Sequence, residues 1–409
     1  MIRKRSETLF AGILGLMLVF PVAGFGQPPV QRSAYHDYRV VTLVDGLEHP
    51  WSIAFLPGGD MLVTEQPGRL RIVRGGRLLA DPVPGVPAVH FKGQGGLMDV
   101  VPHPDFARNR LLYLSFSKPY ADGDGATTAV VRGRFESDRL TDVEQIFEAV
   151  SRGRGHYGSR LAFDANGFLF ITVGDRQAPP RGDLEAHPAQ DVSNHHGTVN
   201  RIHDDGRIPA DNPFVNSDRA RPEIWSYGHR NPQGLVIHPE TGDVWITEHG
   251  PQGGDELNLV LRRRNYGWPV VGYGVNYETG AAIHGGTIRA GMEDPVHVWV
   301  PSTGVSGLML YAGDRFPGWR GSLFAGGLSG ERISRLTMDG QKVVLEETLL
   351  HRMGRVRDVR QGPDGYIYVA IDGNERGDKT PIYRLDPADD RRTSDSAGDV
   401  GTRVSAPVR

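Results

Sequence analysis

The 409-residue chain contains no cysteine. That excludes a disulfide framework, a thiolate zinc site, an iron–sulfur cluster and a cysteine nucleophile. It also lacks any sustained run of lysine or arginine: 46 basic side chains stand against 49 acidic ones, for a formal net charge of −3. Without a basic stripe there is nothing to track a phosphate backbone, so nucleic acid is not an expected partner. Long apolar runs are missing too. The one mainly apolar stretch, Leu9 to Phe20, is shorter than the roughly 20 residues that span a bilayer. It follows Arg3, Lys4 and Arg5 and precedes Ala23, Gly24 and Gly26, small residues that suit a signal peptidase. Residues 1–26 therefore read as a secretory signal. The protein is expected to be periplasmic or secreted, with no stable membrane insertion after cleavage.

Turn chemistry is what the chain has in excess. Its 54 glycines and 29 prolines exceed ordinary usage of roughly 7% and 5%. One pattern recurs six times: a short apolar strand, a turn built on Pro, Asp, Asn or Gly, then a second apolar strand. The copies run from Ser52 to Glu65, Leu97 to Phe116, Arg160 to Asp175, Gly234 to Glu248, Gly307 to Gly326 and Val356 to Asp372. The β-branched and aromatic flanks suit a pleated, half-buried surface, and the turn residues supply the required φ, so each copy reads as a β-hairpin. Their irregular spacing is too loose for a solenoid and natural for propeller blades with insertions. The expected fold is all-β, a six-bladed β-propeller over residues 35–386, with 387–409 a disordered tail. Two stacked β-sandwiches are the competing arrangement, but the hairpins cross the middle of the chain without a linker.

In a propeller, loops on one face surround a central channel and bring distant side chains together. Five polar clusters lie at hairpin edges. Gln94 sits among glycines before the second hairpin. His156 precedes the third hairpin and Asp175 ends it, so the open ends of two antiparallel strands bring them together as a general base and its orienting carboxylate. Arg230 and Asn231 open the fourth hairpin, offering a fixed cation and an amide. At its exit, Gly250 and Pro251 stand in a glycine-rich loop beside Asp255 and Glu256, the all-oxygen setting that Ca²⁺ prefers. Arg355 and Arg357 open the sixth hairpin on one face of a strand, where two guanidinium groups repel unless solvated or shared by an anion.

Taken together, the segments GQGGLMDVVPHPDF (Gly93 to Phe106), HYGSRLAF (His156 to Phe163), YGHRNPQGL (Tyr227 to Leu235), GPQGGDELN (Gly250 to Asn258), NYGWP (Asn265 to Pro269) and RVRDVRQGPDG (Arg355 to Gly365) resemble the soluble quinoprotein sugar dehydrogenases. The resemblance covers roughly residues 40 to 386. It implies a six-bladed propeller carrying pyrroloquinoline quinone (PQQ) and Ca²⁺, which oxidises the C1 hydroxyl of an aldose to a lactone and passes electrons to an external acceptor. By position it implies His156 as catalytic base and Asp175 as its partner. It assigns Gln94, Arg230, Asn231, Arg355 and Arg357 to the cofactor, and the carbonyls of Gly250 and Pro251 to Ca²⁺. One departure stands out: where the family usually carries a lysine in the fifth blade, this chain has Ser329, with Arg332 as a nearby substitute. The competing readings are a calcium-dependent propeller lactonase or esterase, which needs carboxylates converging on the metal, and a non-catalytic secreted binding propeller.

Overall fold

The computed structural model describes residues 28–388; the expected signal segment and all but Pro387 and Ala388 of the expected tail lie outside the described residues. Six antiparallel sheets are arranged as the blades of a propeller. Blade 1 consists of Pro50–Phe55, Met61–Glu65, Arg69–Arg74 and Arg77–Leu78. Blade 2 holds Leu97–Pro102, Leu111–Pro119, Ala126–Glu136 and Arg139–Glu148; blade 3 holds Leu161–Phe163, Phe168–Val173, Thr198–His203 and Ile224–Tyr227. Blade 4 is Pro232–Ile237, Val244–Glu248, Asp255–Leu259 and His297–Trp299, and blade 5 is Val305–Leu310, Leu323–Gly327, Arg332–Asp339 and Lys342–Leu349. Each of the six expected hairpins forms the inner pair of strands of one blade.

Blade 6 is built from both ends of the fold. Arg355–Gln361, Ile367–Asp372 and Lys379–Pro387 are completed by the early strand Tyr38–Glu48, with Val30–Gln31 added at the edge. Tyr38 faces Pro387 and Glu48 faces Lys379 in this pairing. The ring is thus clasped by backbone hydrogen bonds, which leaves no open sheet face between the last blade and the first.

Alternation along the strands sends apolar side chains to both faces of each blade, because every blade lies between two others. Adjacent blades share a continuous apolar layer all the way round. Leu62 and Ile72 meet Leu97 and Leu114 between blades 1 and 2, and Tyr113 and Val130 meet Leu169 and Ile171 between blades 2 and 3. Phe170 and Leu235 join blades 3 and 4, Trp245 and Leu323 join 4 and 5, and Phe324 and Val369 join 5 and 6. The circle closes where Leu47 and Ile382 of blade 6 pack with Ile53 and Val63 of blade 1.

Two features position the site. First, five inner strands carry a register shift near their entry, at Pro50/Ser52, Leu97/Val100, Pro232/Gly234, Val305/Leu308 and Val356/Asp358. Such bulges re-aim a side chain without ending the strand, and Trp51, Gln233 and Arg357 stand at three of them. Second, the channel is filled by charge. The Arg160 guanidinium lies 3.1 Å from Asp358 and 3.6 Å from Asp99, and Arg360 pairs with both carboxylates, at 2.8 and 3.3 Å. Ser52 Oγ and the Leu161 N–H donate to Asp99, and the Ile53 N–H donates to Asp358. Arg160 Nε and Nη2 also donate to the carbonyls of Gln233 and Arg357. Apart from the Arg360–Asp358 pair within one strand, these contacts tie one blade to another, and pairing of this kind is what makes buried charge tolerable.

Candidate active site

The loop entering blade 3 holds His156 in a left-handed conformation, φ 45°. A residue with a β-carbon avoids this region unless its surroundings over-determine it. Here they do. The His156 N–H donates to Gln94 Oε1 at 2.7 Å, and its ring Nδ1 lies 2.6 Å from Asp175 Oδ1. Asp175 in turn accepts from the Gln177 N–H at 2.9 Å and, on its other oxygen, from Trp268 Nε1 at 2.7 Å. With Asp175 1% exposed and supplied with donors on both oxygens, it fixes the imidazole as the Nδ1–H tautomer. The Nε2 lone pair is then the free one.

Burial pushes the His156 imidazole below its ordinary pKa; Asp175 opposes this, and Arg230 and Arg176 add to it. Burial alone would raise Asp175, but His156 and Arg230 outweigh it and hold the carboxyl below its usual range. A neutral imidazole beside an ionised carboxylate is a base at neutral pH.

These residues open on a cleft of about 470 Å³ lined by Gln94, His156, Asp175, Arg230, His249, Pro251, Trp268 and Tyr277, among others. Arg230 stands over the Trp268 ring, 5.1 Å from its centroid, and donates to the His249 carbonyl at 3.1 Å. Its backbone is fixed by Glu248, whose Oε2 accepts the Arg230 N–H at 2.6 Å while Oε1 takes the His229 ring at 2.9 Å. The sequence clusters thus converge at Gln94, His156, Asp175, Arg230 and Pro251. Asn231 lies behind the cleft wall, where its Oδ1 accepts the Gly158 N–H at 3.2 Å, and Gly250 borders an adjoining recess with Pro251 and Trp268.

Arg355 and Arg357 do not line the cleft. The anion between them is a protein carboxylate, Asp372, 3.9 Å from Arg355 and 3.2 Å from Arg357, and it also accepts from His49 Nδ1 at 2.8 Å. Arg357 reaches the site through Gln233, donating to its Oε1 at 3.0 Å. One carboxylate does not satisfy these cations. The Nε atoms of Arg230, Arg355 and Arg357 are all buried without a hydrogen-bond partner, as is His249 Nε2.

The acidic side chains beside Gly250 and Pro251 have partners of their own. Asp255 accepts the Gly250 N–H on one oxygen and the Thr303 and Val305 N–H groups on the other. Glu256 points into the recess, where burial and then Glu248 push its pKa up to about 8, and Asn258 Nδ2 bridges the two glutamates. Within the described residues the carbonyls of Gly250 and Pro251 accept hydrogen bonds only from hydroxyls, Tyr277 at 3.4 Å and Ser302 at 3.2 Å. Among the described residues no group of three or more His, Asp or Glu side chains is placed to hold a metal. Arg332, near Ser329, has its guanidinium 3.7 Å from Glu346 and its Nε buried without a partner.

Sequence reasoning missed Trp268, His249 and Asp372 as members of the site. Trp268 stood inside a quoted segment, His249 just before one, and Asp372 at the end of the sixth hairpin; none showed which strand end it would meet.

The fold and the site define the class: a six-bladed propeller whose cleft gathers a histidine–carboxylate pair with an arginine whose Nε has no partner. The chain matches the Glucose / Sorbosone dehydrogenase family over residues 47–384, and it belongs to that family. It is 44% identical over 342 residues to the aldose sugar dehydrogenase YliI of Escherichia coli, covering 82% of this chain and 90% of the relative. The apo-form structure of the soluble aldose sugar dehydrogenase from Escherichia coli superposes with a TM-score of 0.79 at 42% identity, covering 86% and 100% of the two chains. The PQQ-bound aldose sugar dehydrogenase of Streptomyces coelicolor superposes with a TM-score of 0.69 at 26% identity, covering 88% and 100%.

Proposed function

We propose that this protein is an exported quinoprotein that oxidises the C1 hydroxyl of aldoses to lactones. The observation that carries the reading is the juxtaposition, in one cleft, of the His156–Asp175 pair with Arg230, backed by Arg357 through Gln233, with the Nε donors of Arg230, Arg355 and Arg357 lacking a partner. PQQ is a flat tricarboxylate, and this donor set, with the Trp268 ring beside it, suits such a molecule. When bound, PQQ supplies the acceptor for the hydride leaving C1 of the sugar. The carbonyls of Gly250 and Pro251 fit a hard cation that takes its remaining ligands and its charge balance from the cofactor and water; Ca²⁺ there would supply Lewis-acid polarisation.

The chain's own part is positional and protonic. His156 Nε2 takes the C1 hydroxyl proton as the C–H bond gives up its electron pair, so one proton and one hydride leave and the aldose becomes the lactone. Asp175 holds the ring and balances the imidazolium, which then returns its proton to water in the cleft. Arg230, with Gln94 and Trp268, orients what lies in the cleft. A lactonase centre would need carboxylates converging on the metal, and among the described residues no group of three or more His, Asp or Glu side chains is placed to hold one.

The test begins with purified apo-protein, PQQ and Ca²⁺. Stoichiometric uptake, followed by conversion to the reduced quinol spectrum on adding an aldose, is the expected result. His156→Ala should take up the cofactor normally and turn over about two to four decades more slowly. No uptake at micromolar cofactor, or a quinone spectrum unmoved by any aldose, sinks the reading.

A further inference from the structure

Arg176 follows the carboxylate of the base pair in sequence and is 1% exposed. A guanidinium at that depth ordinarily meets a carboxylate. Among the described residues this one has no ion pair. Its hydrogen bonds go to three carbonyl oxygens, those of Gly155, of Ala126 at 2.7 Å and of Gly153 at 3.3 Å. Its flat face lies 3.7 Å from the centroid of the Tyr157 ring. Gly153, Gly155 and Tyr157 all belong to the loop that carries His156, so the fork holds that loop on both sides of the imidazole.

The backbone is arranged to permit this grip. Arg176 and Gln177 are both left-handed, φ 61° and 58°, which folds the chain back after Asp175 and under the loop. The Arg154 N–H donates to the Arg176 carbonyl at 3.2 Å. A β-carbon on Gly153 would stand 2.1 Å from that same oxygen, so no side chain fits there. A neutral side chain could fill this space at less cost than a buried, uncompensated cation. What it could not supply is a charge and a fork reaching three carbonyls at once.

We propose that Arg176 is a positioning residue for the base: its fork sets the loop at 153–157 so that the imidazole meets Asp175, and its unpaired charge disfavours the imidazolium. The inference rests on His156 being the base. The charged and titratable groups facing His156 are Asp175, which favours the protonated ring, Arg230 and Arg176, which oppose it, and His249, kept neutral by burial. Removing one opposing cation raises the pH at which the ring protonates, so the acid limb of activity moves up.

The measurement is the titration of His156 in apo-protein labelled with ¹⁵N-histidine, with the signal assigned by its loss in His156→Gln. Arg176→Met should raise the imidazole pKa, whereas Arg176→Lys, which keeps the charge and loses the fork, should leave it near the wild-type value. Loaded with PQQ and Ca²⁺, both variants should bind the cofactor with wild-type affinity and lose about tenfold or more in kcat. The acid limb should shift only in the Met variant. A Met variant that titrates and turns over like wild type overturns the proposal. Should that variant not fold, the Lys variant decides: lowered kcat with an unmoved titration supports it, and wild-type turnover overturns it. Because the titration needs no cofactor, a wild-type protein with no turnover would count against the dehydrogenase reading and leave this test standing.

Discussion

Asp175 accepts donors on both oxygens, so its charge and its geometry can be separated. In Asp175→Asn an amide NH₂ must face either the imidazole Nδ1–H and Gln177 N–H or the Trp268 indole N–H, and each of those is itself a donor. The ring loses its fixed tautomer, and kcat should fall by about two to four decades while PQQ uptake, read from absorbance, stays at the wild-type level. Ser329 allows a gain. It is exposed at the turn after the second strand of blade 5, and one charge-assisted contact contributes about 1.5–3 kcal/mol. Ser329→Lys should therefore tighten PQQ binding about tenfold to a hundredfold in a titration of apo-protein; unchanged affinity would mean that this position does not reach the cofactor. At this scale the sequence was readable where local geometry decides the contact. His156 and Asp175 flank one hairpin, and antiparallel pairing brings hairpin ends together. Asp372 closes the sixth hairpin just as visibly, yet its service to Arg355, Arg357 and His49 depends on a bulge at Val356/Asp358 and on a neighbouring blade, and neither leaves a mark in one strand's pattern.

The elements divide in the same way. Inner strands such as Met61–Glu65 and Ile367–Asp372 are buried at every position, so they stand out as apolar runs between turn residues. Outer strands do not. Arg139–Glu148 is exposed at most of its positions and Arg77–Leu78 has only two residues, so the period-2 signal fades. Tyr38–Glu48 is the most consequential of the strands that went unread, because its partner lies at the other end of the fold. Leu47 on this strand is fully buried against Ile53, Val63 and Ile382. Leu47→Ala should cost about 2–5 kcal/mol, measured as a lowered urea midpoint with an unchanged slope. A loss below about 1 kcal/mol would show that the clasp is dispensable to blade 6.

Across the whole molecule, the Arg160, Arg360, Asp99 and Asp358 lattice draws together groups from blades 1, 2, 3, 4 and 6. Asp358→Asn keeps the shape and removes one anion, leaving two buried guanidinium groups to share Asp99. Breaking a buried pair in this way costs about 3–5 kcal/mol. Thermal unfolding should therefore occur at a clearly lower temperature, and added salt should not restore it, because the pair is shielded from the ions that screen surface charge. The pairing of Tyr38 with Pro387 has a consequence of another kind, in time rather than energy. Beyond the two-residue edge strand Val30–Gln31, the strand Tyr38–Glu48 has no partner until the last strand has been made, so the circle cannot close during synthesis. Contacts of such sequence separation form slowly, and until they form, the growing arc of blades carries one unpaired strand edge at each end. A chain that stays open until it is finished is one that can still be threaded through a narrow passage.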